Sequence, residues 1–236
     1  MLFRSGGEFL YSFIPEPGID IEDVATDHSD NLYVLFESTI CVFDNPVKNN
    51  NNKSRVINLE GAVQGKSVTV NGEQKVFVLI ECLRKESYTV RVYEADGQFV
   101  TSFGNYSFEY KQNGPFCTGD GSVVINECRY RCVSYIQEFD AHGKQLIRRD
   151  LIAWGLYEPH VKAVHPTTNY LIAVTVPLTI SIYNEGERPV RHVKIDTDDK
   201  IRSITGVTVT KDGRIAVLCQ IKEFNSRDLK GVVYVV

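Results

Sequence analysis

VRVYEADGQFVTSFG, Val90 to Gly104, is the stretch whose reading decides the fold. Two apolar runs flank Asp96-Gly97, and a second glycine, Gly104, closes the segment. Asp-Gly between alternating apolar runs is a strong hairpin signal, because the glycine takes the positive φ that a tight turn needs. The pattern recurs. An aromatic near the end of an apolar strand, followed by a polar residue or a turn, appears in MLFRSGG, ICVFDNP, VRVYEADG, IQEFDAHG, ISIYNEG and VVYVV. Those aromatics are Phe3, Phe43, Tyr93, Phe139, Tyr183 and Tyr234, spaced 40, 50, 46, 44 and 51 residues apart. A period in the 40s with strand-like contents is the sequence signature of a β-propeller.

The segments between the aromatics complete the unit. One strand ends in a polar turn in IEDVATDHSDN, GKSVTVNGEQ, VKAVHPTTN and GVTVTKDG. The next is the most apolar of the unit, as in LYVLFE, KVFVLIE, SVVINE, YLIAVTV and RIAVLCQI. The aromatic strand follows, and then a last, more polar strand such as QFVTSFG, KQLIRRDL or PVRHVKI. This makes four strands per unit from the axis outward. Continuous apolar character in the middle strands is expected when both faces of a sheet are buried between neighbouring blades. Asp96-Gly97, Asp120-Gly121 and Asp212-Gly213 supply hairpin turns, and Asn45–Ser54, with its four consecutive asparagines, reads as a solvated loop between a third and a fourth strand.

At about 46 residues per unit, the 236 residues hold about five blades. The expected architecture is all-β: a β-propeller of four-stranded antiparallel blades, either five closed or a partial six-bladed ring. Residues 1–236 read as one domain, with the N-terminal strand in EFLYSFI completing the last blade. The net charge of -4 gives no general attraction to nucleic acid or an anionic membrane. No run approaches the roughly 18 apolar residues of a membrane span. MLFRSGGEFLYSF lacks the apolar core of a signal peptide, so a cytoplasmic location is expected. Six cysteines without a C-x-x-C read as reduced thiols, including Cys128 and Cys132 on either side of Arg129-Tyr130-Arg131.

The units resemble NHL repeats, the propeller repeats at the C-terminus of many tripartite-motif proteins. VRVYEADGQFVTSFG is similar to that family's end of repeat, and IEDVATDHSDNLYVLFE to its opening half. The resemblance implies a non-catalytic interaction module, like the substrate-recognition propeller of a tripartite-motif E3 ubiquitin ligase whose RING and B-box lie outside this chain. It also implies an alternative, an RNA-binding propeller in post-transcriptional regulation.

No catalytic motif is present. G-x-S-x-G, H-E-x-x-H and phosphate-cradling glycine loops are missing. His160 and His165 stand five apart, on opposite faces of a strand, and Asp196, Asp198 and Asp199 read as a solvated loop, so no metal or other cofactor is expected. No enzyme activity, small-molecule substrate or membrane is expected either. Function in a propeller concentrates on loops. Loops joining the second strand to the third, and one blade to the next, share a face and are rich in cations and aromatics. Arg84, Lys85, Arg129, Tyr130, Arg131, Trp154, Tyr157, His160, Lys222 and Arg227 are the candidate partner-binding residues there, joined by Tyr106, Tyr110 and Lys230. Arginine and large aromatics dominate interaction hot spots, which favours a protein partner; the same side chains can stack and pair with RNA.

Overall fold

In a computed structural model of the chain, residues 2–3, 9–11, 20–44, 53–107, 111–128, 133–152, 159–175, 179–194, 201–209, 214–222 and 229–235 are described. No helix occurs among them. β1 (Leu2–Phe3) and β2 (Phe9–Tyr11) pair with each other. Blade one is β3 (Asp23–Thr26), β4 (Leu32–Leu35), β5 (Thr39–Phe43) and β6 (Lys53–Asn58). Blade two is β7 (Val63–Val70), β8 (Val76–Cys82), β9 (Ser87–Tyr93) and β10 (Phe99–Ser107). Blade three is β11 (Lys111–Cys117), β12 (Val123–Cys128), β13 (Val133–Phe139) and β14 (Gln145–Ile152). Blade four is β15 (His160–Val164), β16 (Leu171–Thr175), β17 (Thr179–Tyr183) and β18 (Arg191–Lys194). Blade five holds three described strands, β19 (Ile201–Val209), β20 (Ile215–Lys222) and β21 (Leu229–Val235). Every blade is an antiparallel meander in chain order.

The first strands of all five blades, β3, β7, β11, β15 and β19, line one central channel of about 680 Å³. The chain is therefore a five-bladed β-propeller. Middle strands are buried on both faces: all six residues of β12 are buried, as are five consecutive residues of β8 from Val76 to Ile80. Alternation along these strands is between two apolar neighbours rather than between core and water. Val123 and Ile125 pack toward blade two, and Val124 packs toward blade four.

The periodic aromatics explain how blades join. Tyr93, Phe139 and Tyr183 end the third strands of blades two, three and four, and each is buried in the apolar cluster shared with the preceding blade. Burial of such a ring stabilises by about 1.5–3 kcal/mol. Polar ties add register. The Asp23 carboxylate of β3 accepts from Ser67 Oγ at 2.7 Å and from the Val68 N–H at 2.9 Å on β7. Asn169 Oδ1 accepts from the Gly119 N–H at 2.9 Å, linking turns of blades three and four.

Among the described residues one hairpin turn occurs five times. The N–H of residue i donates to the carbonyl of i+4, and the N–H of i+3 donates back to the carbonyl of i. This holds where i is Asp27, Asn71, Glu94, Thr118 or Asp140. It is a type I turn followed by a left-handed residue. That residue is Gly97 (φ 95°), Gly121 (φ 87°) or Gly143 (φ 84°), but Asp30 (φ 63°) and Gln74 (φ 63°) in the β3–β4 and β7–β8 hairpins. Asp212-Gly213 and residues 45–52 of the asparagine-rich insert lie outside the described residues, while Lys53 and Ser54 already belong to β6.

Candidate interaction face

Strand direction sorts the loops onto two faces. One carries the hairpins just described and is acidic. Glu73, Asp120 and Asp140 line a cavity of about 290 Å³ between turns of blades two and three. The Thr118 hydroxyl donates to Asp120 and holds its carboxyl below the usual range. Burial, with the Asp120 charge nearby, pushes the Glu138 carboxyl up.

The opposite face is the expected interaction surface. In blade one its turn is pinned: the Phe36 N–H donates to the Thr39 carbonyl, and the Glu37 and Ser38 carbonyls accept from Gly65 and Leu59. In blade two the turn after β8 closes on its own backbone. The Lys85 N–H closes it on the Cys82 carbonyl at 3.0 Å, and Glu86 takes a positive φ of 48°. Leu83 (52% exposed), Arg84 and Lys85 project from it. Ile21, just before β3, is exposed on the same face.

Of the candidate partner-binding residues, Arg84 and Lys85 are thus brought together. His160 begins β15 on the same face, half-buried against blade three. Lys222 ends β20. Arg129, Tyr130, Arg131, Trp154, Tyr157 and Arg227 lie outside the described residues, as do Tyr110 and the Asp196, Asp198 and Asp199 cluster. Tyr106 is a correction: it is buried in the apolar cluster between blades two and three, not displayed. A register shift between Phe103 and Tyr106 on β10 turns its ring inward, and burial raises its phenol with help from the Glu127 charge.

His160 takes part in a cluster that residue types alone did not flag. Its Nδ1 lies 3.1 Å from Cys128 Sγ. Asn113 Nδ2, on β11, lies 3.0 Å from the same sulfur. Asn126, with no exposed surface, accepts from the Val161 N–H at 3.0 Å and ties blade three to blade four. The signal in the sequence was an asparagine inside the apolar run SVVINE, where a buried amide must find partners. Cys128 carries a thiol rather than a disulfide. His165 sits at the other end of β15, where its Nδ1 accepts from the Thr167 and Thr168 N–H groups.

No family model and no curated protein matches the chain. Solved structures do. A protein of unknown function from Bacteroides caccae matches with a TM-score of 0.58 at 11% identity, over 90% of this chain and 75% of that one. Raptor from Chaetomium thermophilum matches with a TM-score of 0.56 at 11% identity, over 91% of this chain but only 21% of Raptor. A chain of the mitotic checkpoint complex matches with a TM-score of 0.54 at 11% identity, over 87% of this chain and 62% of that one. At such identity the likeness shows the fold alone.

Proposed function

We propose that this propeller is a protein-interaction module that grips its partner with the face bearing Arg84, Lys85 and His160. One observation carries the reading: an exposed leucine beside two exposed cations on the turn between β8 and β9. An apolar anchor ringed by cations suits a partner segment of apolar and acidic residues. One of the solved neighbours belongs to a multiprotein assembly, the mitotic checkpoint complex, which is in keeping with a protein partner. The finer form of the proposal is substrate recognition for a tripartite-motif type ubiquitin ligase, in the cytoplasm. It rests on the repeat resemblance of Val90–Gly104.

The test is crosslinking and affinity purification from cells. Leu83→Asp with Arg84→Glu and Lys85→Glu should lose the partners that wild type and Glu73→Lys, a change on the acidic face, both retain. Equal recovery by all three proteins would overturn the assignment of the face. Capture of single-stranded RNA, with affinity falling steeply with salt and lost in the triple variant, would replace the protein reading by the RNA one. Attachment of ubiquitin to a captured partner by the full-length gene product checks the finer form.

A further inference from the structure

Cys128 ends the second strand of blade three, on the side of β12 that looks toward blade four. Glu127 precedes it and points the opposite way, close enough to Tyr106 to raise that phenol. Three polar atoms surround the sulfur: His160 Nδ1 at 3.1 Å, Asn113 Nδ2 at 3.0 Å and Asn126 Oδ1 at 3.4 Å. They come from β15, β11 and β12, so the folded ring assembles them from two blades. An imidazole positioned to take the thiol proton and an amide N–H aimed at the sulfur favour the thiolate, and they outweigh the longer contact to the Asn126 oxygen, which accepts from the thiol and favours its protonated form. Asn113 Nδ2 also lies 3.5 Å from His160 Nδ1, which keeps the three side chains in one network. The other thiols sit differently. Cys117 has the Thr69 hydroxyl for company, and burial pushes its thiol up to about 12. Burial raises Cys219 as well.

We propose that Cys128 is a covalent-modification site, an imidazole-activated thiol that takes soft carbon electrophiles and peroxides. Cys128 is buried, 4% exposed as a residue, at the end of its strand, and the His160 and Asn113 side chains that reach its sulfur are themselves half-buried. The thiol proton passes to His160 Nδ1. With a haloacetamide, the sulfur bonds to the α-carbon as the carbon–halogen bond breaks and halide leaves with the electron pair. With hydrogen peroxide, the sulfur takes one oxygen and the O–O bond breaks. The leaving hydroxide collects the imidazolium proton as water, and the sulfur is oxidised by two electrons to a sulfenic acid. Among the described residues, His160 is the titratable side chain that faces the sulfur. Lys111 is the ladder partner of Cys128 on β11, Ser134 is its partner on β13, and Lys162 of β15 lines the channel.

The experiment measures iodoacetamide alkylation of the native protein from pH 5 to pH 10, resolved by peptide mass spectrometry. Cys82, half-buried on the same face, serves as internal reference. The expected result is a Cys128 midpoint clearly below the ordinary thiol value of about 8.5. His160→Gln should then slow Cys128 alkylation at pH 7 at least tenfold and leave Cys82 unchanged. Asn113→Ala should raise the midpoint while the imidazole stays, and circular dichroism confirms that each variant is folded. A wild-type midpoint at or above that of Cys82 would overturn the proposal whatever the variants do. So would native Cys128 that alkylates only after unfolding, or a profile that His160→Gln does not move.

Discussion

Gln74 shows how a single residue stands against its local backbone. It occupies the left-handed position of a hairpin turn at φ 63°, where blades two and three elsewhere use Gly97, Gly121 and Gly143. A side chain with a Cβ costs about 1–2 kcal/mol there, while glycine gives back part of that by loosening the unfolded chain. Gln74→Gly should therefore stabilise by about 0.5–1 kcal/mol, seen as a rise of about 2–3 °C in the melting temperature. Glu138 illustrates an electrostatic counterpart. Burial, and then the Asp120 charge, raise its carboxyl in the folded state. The folded protein thus holds this proton more tightly than the unfolded chain. Its contribution is most favourable below the unfolded carboxyl range and is lost as pH rises through the raised folded value. Glu138→Gln should make the protein more stable than wild type at pH 7, with the gap closing below about pH 4. Urea unfolding from pH 4 to pH 8 measures the gap, and a constant gap across that range would contradict the assignment.

At the level of the strand, the spacing of aromatics carried most of the information. Phe139 ends β13 and is buried among Phe77, Leu79, Val90 and Val92 of the preceding blade. Phe139→Ala should cost about 3–5 kcal/mol, whereas Phe99→Ala, at a ring 51% exposed on β10, should cost about a third of that or less in the same denaturant titration. The strand pattern, the blade period and the glycine turns were legible in the sequence because each is a local rule about burial or φ. Tyr106 was not legible: its chemistry suits a displayed loop, and only the irregular register of β10 turns it inward. The Cys128, His160 and Asn113 cluster was hidden for a related reason. Its members lie 15 and 47 residues from one another in the chain: the β11–β12 pairing brings Asn113 to Cys128, and the lateral packing of blades three and four brings His160 to both. Arg84 and Lys85 were legible as exposed cations because a short polar link between two apolar strands has nowhere to go but outward.

On the scale of the whole ring, closure is the energetic question. Among the described residues β21 pairs with β20, and β2 pairs with β1. The proposal that the N-terminal strand completes blade five, making residues 1–236 one closed domain, has a direct test. Deleting residues 1–16 should expose an unpaired strand edge, lower the melting temperature and promote self-association in light scattering. An unchanged melting temperature and a monomeric product would show that closure does not depend on that segment. The one-way interlocking of the blades carries a further consequence. Each blade from the second to the fourth plugs its aromatic into the gap behind it, so the apolar cluster between two blades closes only when the later blade has been added. A chain emerging from the ribosome can thus cover its oily surface one module at a time, in the order of synthesis.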